Sequence, residues 1–382
     1  MLILAAVLAI FVYGMIAAML GTILPGLSER FHLTPKQNGS IAFAQAVGLM
    51  IASVGVGPLI DNEGKKVGLI LGLALIALAL LALPRSGGFG SIAALMFLLG
   101  VGGGVVVTGA NALVSDVQPG HQATALNLVN LFFGLGGMVT PFISANLLKR
   151  DIVKLCYAAG VFAVIALAVQ VASPIPPPTG VQSFVLADAG SLLGQPILWM
   201  LGLLLFLYVS CEVGIWNWLV QHLIAQGIPE SRALNVLSLG FALGLLVGRV
   251  AVSPILITVR PDTVTLAAAV LMAVTSYVAL NARDVKTPRI LVFFAGVAMA
   301  PVFPTTLAIV GGWADKAFPA MKSTAMGFAI TCGWAGLAVS SRIIGGIAGG
   351  DPKRLKKALL VIPAFSVVMV AINLGIRAML PN

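Results

Sequence analysis

Uncharged apolar runs recur along this chain, each close to the roughly 20 residues an α-helix needs to cross the hydrocarbon core of a bilayer. No other feature constrains the fold as tightly. A backbone in lipid must satisfy its own hydrogen bonds, and a helix does so within a single segment. Only 9% of the 382 residues are charged and 59% are hydrophobic, against about 25% charged in soluble domains. The length would allow two or three soluble domains, but the composition allows none. Twelve spans are expected, at 1–24, 38–60, 67–84, 91–114, 122–148, 153–172, 196–220, 232–258, 263–281, 289–311, 321–348 and 356–379. The run from Met1 to Leu24 lacks a basic leading segment and is long for a signal peptide, so it reads as the first span. The expected fold class is an all-α membrane protein.

The longest interruption is SPIPPPTGVQSFVLADAGSLLGQ, residues 173–195. Its proline cluster forbids helix, and it separates six spans from six. The reading is an N-terminal six-helix bundle (1–172), a Pro-rich linker (173–195) and a C-terminal six-helix bundle (196–382). The halves also resemble each other. GLMIASVGVGPLI at 48–60 aligns with GLLVGRVAVSPIL at 244–256, so that Gly48, Val54, Val56 and Pro58 match Gly244, Val250, Val252 and Pro254. Thr124-Ala125 matches Thr324-Ala325, Gly136 matches Gly336, and Gly100-Val101 matches Gly296-Val297. Several pairs in one order at nearly one offset indicate duplication of a six-helix unit. That pattern marks secondary transporters, whose substrate site lies between the repeats near the midplane.

The net charge of +10 would suggest nucleic acid in a soluble protein. Here the basic residues fall in short loops between spans, where anchoring at lipid headgroups is the simpler account, and no nucleic-acid partner is expected. The three cysteines, Cys156, Cys211 and Cys332, sit in apolar runs and read as free thiols packed like small hydrophobes. His32, His121 and His222 lie in or beside loops without metal-ligand spacing, so no metal is expected. No Gly-rich loop ending in Gly-Lys-Ser/Thr appears. Neither an enzyme nor an ATP-driven pump is indicated, and no organic cofactor is implied.

The loop GPLIDNEGKK, residues 57–66, resembles the signature loop of the major facilitator superfamily through Gly57, Asp61, Gly64, Lys65 and Lys66. Asn62 stands where that family usually has a basic residue, and the equivalent loop of the second half, ITVRPD (257–262), has lost the motif. The resemblance covers the whole chain and implies two pseudo-symmetric six-helix bundles that rock about a central site. Asp61 would end a span and hold charge-assisted bonds to helix ends and basic partners. Shorter motifs are similar to the sugar–cation symporter branch that includes fucose and glucose/galactose transporters. They are Gly109-Ala110-Asn111 in the fourth span, ALNLVNLFFGLGGMVTP (125–141) in the fifth, and Tyr208, Glu212 and Val213 in the seventh. Asn130 stands in place of that branch's sugar-touching glutamine. Fucose-type symporters carry acids in the first and fourth spans, where this chain has Gly21 and Val107.

Ionisable groups inside a membrane are costly and face a cavity or a partner. Glu212, Arg249 and Arg342 lie inside spans, and Glu212 is the only acid among them. Burial opposes the charge of such a carboxyl and a nearby cation favours it, so it can take up a proton on one side and release it on the other. Coupling transport to H⁺, or holding Na⁺, is one reading of Glu212; a structural bond to a neighbouring helix is the other. Arg249 follows Gly248 as a Gly-Arg pair common in the superfamily, and is assigned a conformational role beside the signature loop. Arg342 reads first as snorkelling, with pairing to an acid or contact with an anionic substrate as the alternative.

Sugars are held by amides and hydroxyls, with aromatic rings against their C–H faces, in a largely apolar pocket. The candidates are Tyr13, Asn111, Asn127, Asn130, Tyr208, Trp216, Asn217, Gln221 and Trp334. At about 100° per residue, Tyr208, Glu212 and Trp216 share one face of the seventh span and Asn217 and Gln221 share another. Either the span breaks near Gly214 or one set packs against neighbours. Trp218 and Trp313 are left to packing or the interface.

The superfamily places both termini and the Asp61 loop in the cytoplasm, here of a bacterial inner membrane. The opposite loops would then hold Arg30, Lys36, Arg85, Lys149, Arg150, Lys154, Arg232, Arg283, Lys286, Arg289, Lys353, Arg354, Lys356 and Lys357. The cytoplasmic side would hold only Lys65, Lys66, Arg260, Lys316, Lys322 and Arg377. The positive-inside rule predicts the reverse. The family orientation is kept, since the motif and the duplication are more specific than a charge tally. The functional reading is a monomeric secondary transporter of a small polar solute, first of all a monosaccharide, coupled to H⁺ or Na⁺. An organic anion, drug or lipid as cargo, facilitative uniport, and a non-transporting receptor of the same fold are the alternatives.

Overall fold

The computed structural model describes residues 2–33, 35–117, 120–149, 151–177, 186–229, 232–233, 236–281, 287–348 and 352–380. Twelve of its helices are long and apolar enough to cross a membrane. They are α1 (Leu2–Phe31), α2 (Pro35–Glu63), α3 (Lys65–Ala82), α4 (Phe89–Val117), α5 (Gln122–Asn146) and α6 (Ile152–Ala172) in the first half. The second half has α7 (Pro196–Ala225), α8 (Leu237–Thr258), α9 (Pro261–Asn281), α10 (Thr287–Met299 and Val302–Ala317), α11 (Lys322–Ala348) and α12 (Val361–Met379). The sequence-based bounds differ mainly at the ends, where polar residues such as Gln37 and Asn62 continue a helix beyond its apolar stretch. A short helix, Leu186–Leu193, lies in the interval read as a linker, after the proline cluster; residues 178–185 of that interval lie outside the described residues. All three cysteines are free.

Two compact units emerge. One comprises Met1–Pro119, Val129–Gly190 and Trp313–Thr331; the other comprises Gly120–Leu128, Ser191–Gly312 and Cys332–Asn382. Each unit therefore includes the beginning of one helix from the other half of the sequence: α11 in the first unit, α5 in the second. Within the first unit α2 packs on α4, α3 on α4 and α6, and α1 on α6. Within the second, α8 packs on α10, α9 on α10 and α12, and α7 on α12. The same pairs recur six helices later, so the duplication read from scattered residues holds at the level of helix packing.

The repeat is carried by backbone contact. Lipid tails are as apolar as leucine, so helices in a bilayer gain by close van der Waals approach, and small residues allow it. A side chain at Gly48 would run into the Phe97 carbonyl, and one at Gly100 into the Gln45 carbonyl, where α2 crosses α4. In the second unit a side chain at Gly244 would run into the Phe293 carbonyl, and one at Gly296 into the Phe241 carbonyl, where α8 crosses α10. The four positions form two pairs, Gly48 with Gly244 and Gly100 with Gly296, each 196 residues apart. Buried polar side chains tie other pairs together. Gln170 Nε2 donates to the Ala5 carbonyl at 2.6 Å, and Thr265 Oγ1 to Asn373 Oδ1 at 2.6 Å.

Because the crossing is backbone on backbone, Gly100→Leu should cost about 1–3 kcal/mol or more through overpacking. Gly55→Ala, at a position with open space around it, should stay within about 0.5 kcal/mol. Thermal unfolding of the two purified variants in one detergent measures this, and equal melting temperatures would mean the crossing is not a packing constraint.

Candidate functional site

The signature loop is built by two glycines and one acid. Gly64 has a φ of 92°, a left-handed conformation that a side chain would strain, and it separates α2 from α3 in a one-residue turn. Gly57, two turns before it, lies against the backbone of Thr324 at the start of α11, where a side chain would collide with the Thr324 Cα. That closeness delivers Asp61 to the α11 N-terminus. Its Oδ1 accepts from the Ser323 N–H at 3.0 Å; its Oδ2 accepts from the Thr324 N–H at 2.9 Å and from Thr324 Oγ1 at 2.7 Å. The first N–H groups of a helix have no partner within it and carry partial positive charge, so a carboxylate from another helix fits there. Ser53 and Gly327 continue the same contact, and Thr331 Oγ1 donates to the Met50 carbonyl at 3.3 Å.

Around this cap the basic residues are engaged. Lys65 pairs with Asp116 at 2.7 Å, and the buried Lys322 bridges Asp116 at 3.0 Å and Asp315 at 2.9 Å. Lys66 donates to the carbonyls of Val171 and Ser173 at 2.8 and 3.0 Å, capping the last turn of α6. The expectation that loop lysines serve as headgroup anchors is thus corrected for Lys65, Lys66 and Lys322. Acids and open helix carbonyls across the loops take them up. The expected basic partner of Asp61 is corrected as well: Lys65 goes to Asp116 and Asp61 to backbone N–H groups. In the second unit Thr124 Oγ1 donates to the Ser253 carbonyl at 3.1 Å. Ser253 is the repeat mate of Gly57 and Thr124 that of Thr324, so the contact recurs, but Ile257 stands at the mate position of Asp61. Asp262 there pairs with Arg260 at 3.0 Å and Arg377 at 3.8 Å.

The candidate substrate residues fall into separate groups. In the first unit Asn130 Nδ2 donates to Asn111 Oδ1 at 2.8 Å, and Asn111 Nδ2 to the Val107 carbonyl at 2.7 Å. Tyr13 is buried and stacks on Phe133, with centroids 5.2 Å apart. In the second unit Asn127, fully buried, donates to the Ala123 carbonyl at 2.8 Å and to Thr305 Oγ1 at 2.9 Å. Its Oδ1 accepts nothing from the described residues.

α7 runs unbroken through Gly214, which is buried against Ile344 and Ile362. The expected alternative of a break there is corrected, since close packing leaves no room for an unwound turn. The two polar faces of α7 consequently stay apart. Asn217 and Gln221 are exposed on one. On the other, the Tyr208 hydroxyl and the Trp216 indole turn toward the half-buried Glu212, and the Arg249 guanidinium of α8 faces it. Arg249 is itself buried, and Tyr208 Oη stops short of full hydrogen-bond range. Trp216 meets Phe241 edge-on at 5.3 Å. Phe241 belongs to a π-helical opening of α8, Leu237–Ala242, a feature often found at functional sites for which the sequence offered no signal. Trp334 is half-buried in α11, and Trp218 lies beside Gly345. Trp313 packs on Phe318. The side chain of Arg342 lies outside the described residues. Sequence reasoning missed Ser323, Asp116, Asp315 and Thr305; the repeat match of Thr124 with Thr324 was the one available pointer to the α11 cap.

Known proteins share the family and the fold. The sequence family described as Major Facilitator Superfamily matches residues 6–341. The 4-hydroxybenzoate transporter PcaK of Pseudomonas aeruginosa is 30% identical over 149 residues, 38% of this chain, and the match spans only 33% of that relative's length. The protein TsgA homolog of Erwinia tasmaniensis is 24% identical over 348 residues, covering 87% of this chain and 84% of that one. Among solved structures, the transporter FucP in its outward conformation superposes with a TM-score of 0.83 at 17% identity over 98% of both chains. The human organic anion transporter MFSD10 superposes with a TM-score of 0.78 at 16% identity over 97% of this chain and 98% of that one. At these identities the likeness is one of fold.

Hydrogen bonds to a charged group contribute about 1.5–3 kcal/mol each, and a loss of about 1.4 kcal/mol is a tenfold change in an equilibrium. Asp61→Asn should therefore loosen the α2–α11 contact at least tenfold. A cysteine placed at the fully buried Ser53, in a background lacking the native cysteines, should react with an impermeant maleimide correspondingly faster. An unchanged labelling rate would assign the contact to packing alone.

Proposed function

Because the chain belongs to the Major Facilitator Superfamily and is a multi-pass secondary transporter that binds a small-molecule substrate within the membrane, we propose that its cargo is a neutral monosaccharide moved with a proton. The observation that carries the coupling is the Glu212 carboxyl, set in α7 between the aromatic groups of Tyr208 and Trp216 and opposite Arg249. A carboxyl in apolar surroundings with one cation facing it changes charge at modest cost when either neighbour moves. The neutral cargo is supported by the chemistry of the other candidates. Asn111, Asn127 and Asn130 are uncharged amides, and the exposed Trp216 offers a ring to C–H groups. The fold likeness to a fucose:proton symporter and to a proton:xylose symporter agrees with this reading.

In this reading the two halves, 1–172 and 196–382, rock about the bound sugar in a bacterial inner membrane, with both termini and the Asp61 loop in the cytoplasm. Release toward the Asp61 side requires Asp61 to leave the α11 N-terminus, so the cap and its Lys322 bridges act as a latch that binding energy must open. The chain works as a monomer. A second reading, an aromatic or other organic acid as cargo, is favoured by one feature: the buried Arg249, a fixed cation that an anionic substrate could share with Glu212. The resemblance to a 4-hydroxybenzoate transporter points the same way.

Counterflow into proteoliposomes with a panel of monosaccharides and 4-hydroxybenzoate, at varied pH and Na⁺, tests both. A monosaccharide should exchange, and an imposed pH gradient should concentrate it about tenfold per pH unit at one proton per sugar. Glu212→Gln should keep exchange and lose concentrative uptake. Exchange of 4-hydroxybenzoate alone would replace the sugar reading, and full concentrative uptake by Glu212→Gln would remove the coupling role.

A further inference from the structure

In the rocking cycle described above, a bond within one half is carried along, and only a bond from one half to the other must break. Several buried side-chain bonds are of the first kind: Gln170 ties α6 to α1, Asn130 ties α5 to α4 and Thr265 ties α9 to α12. The bond from Asn127 Nδ2 of α5 to Thr305 Oγ1 of α10, at 2.9 Å, is of the second kind. Both side chains are completely buried, and neither carries charge.

The duplication shows what this bond replaces. Asn127 stands three residues after Thr124, as its repeat mate Gly327 stands three after Thr324. At Gly327 a side chain would run into the Ser53 carbonyl and crowd Thr108, so α11 lies directly on the backbone of α2. There the Asp61 cap supplies the fastening. On the α5 side Ile257 leaves no acid, and the place of the glycine is taken by an amide that reaches Thr305. Around it Thr124 donates to the Ser253 carbonyl, and Gln122 lies beside Gly312 of α10. Asn127 sits one turn further in than Thr124 on the same face of α5, covered from solvent while the contact is closed.

We propose that Asn127 and Thr305 form an inner latch, the bond on the α5 side that must break before cargo can leave toward the Asp61 side. The latch rests on the rocking cycle and is independent of which cargo is carried. It also fixes what Asn127 can offer that cargo. Both Nδ2 hydrogens are given to the protein, one to the Ala123 carbonyl and one to Thr305. With the latch closed, only Oδ1 is left to receive a cargo hydroxyl.

A cysteine placed at the buried Ser253, in a full chain lacking the native cysteines, reports opening through its rate of labelling by an impermeant maleimide. Loss of one neutral hydrogen bond from a closed contact shifts the balance toward open by about two- to tenfold. Thr305→Val and Asn127→Ala should each raise the labelling rate by that factor. The double variant should gain no more than either alone, since all three remove the same bond. Thr265→Val, which removes an equally buried bond within one half, should lower the melting temperature and leave the rate unchanged. Asp61→Asn, read with the same cysteine, tests the rocking itself. A rise with Asp61→Asn and none with Thr305→Val would overturn the latch alone. No rise with any variant would overturn the rocking cycle and the latch with it. Multiplied effects in the double variant, or an equal rise with Thr265→Val, would reduce Asn127 and Thr305 to packing residues.

Discussion

Inside a bilayer, one leucine against another gains little over leucine against a lipid tail, so helices must be held by something other than the expulsion of water. In this chain the answer is backbone on backbone. Gly48 and Gly100 bring α2 and α4 into main-chain contact, and Gly244 and Gly296 do the same for α8 and α10. Polar side chains such as Gln170 then tie the remaining neighbours. The other features rest on this scaffold. The face of α2 that carries Ser53, Gly57 and Asp61 presents a carboxylate because the helix beneath it is fixed. The face of α8 that carries Arg249 is fixed in the same way opposite α7.

Duplication supplied both halves with the same helix pairs, and the chain then used them differently. Gly57 and Thr324 meet in the first unit as Ser253 and Thr124 do in the second. Only the first contact has an acid to cap the incoming helix. Its mate has Ile257, and the acid of that loop, Asp262, is paired with Arg260 and Arg377 within its own unit. The bonds at the first contact are therefore charge-assisted and several, while the bond described at the second is neutral. In the proposed rocking cycle this asymmetry puts the larger opening cost at the α2–α11 contact.

The fold was legible because its determinants are local: the length of each apolar run, the break at the proline cluster and the matched glycines. The Asp61 loop was legible as a motif, and its direction toward helix ends followed from charge. Its partners were not, because Ser323 and Thr324 lie about 260 residues away, and no pattern in an apolar chain selects one helix end over another. The same limit applied to α7. Spacing correctly separated the face of Tyr208, Glu212 and Trp216 from that of Asn217 and Gln221. It could not decide whether Gly214 breaks the helix, because that depends on Ile344 and Ile362 pressing against it from other helices.

The two bonds from Lys66 to the last carbonyls of α6 have a mechanical side. They fasten the point where the chain leaves the first half, at Ser173, to the same turn that ends in Asp61. The end of α6 and the start of α3 are thus joined through one lysine. A fluorescent protein or a tether inserted directly after Ser173 would pull on that turn, whereas one placed beyond Gly190 would load the segment leading into α7. For anyone attaching probes to this transporter, the central connection is two different handles.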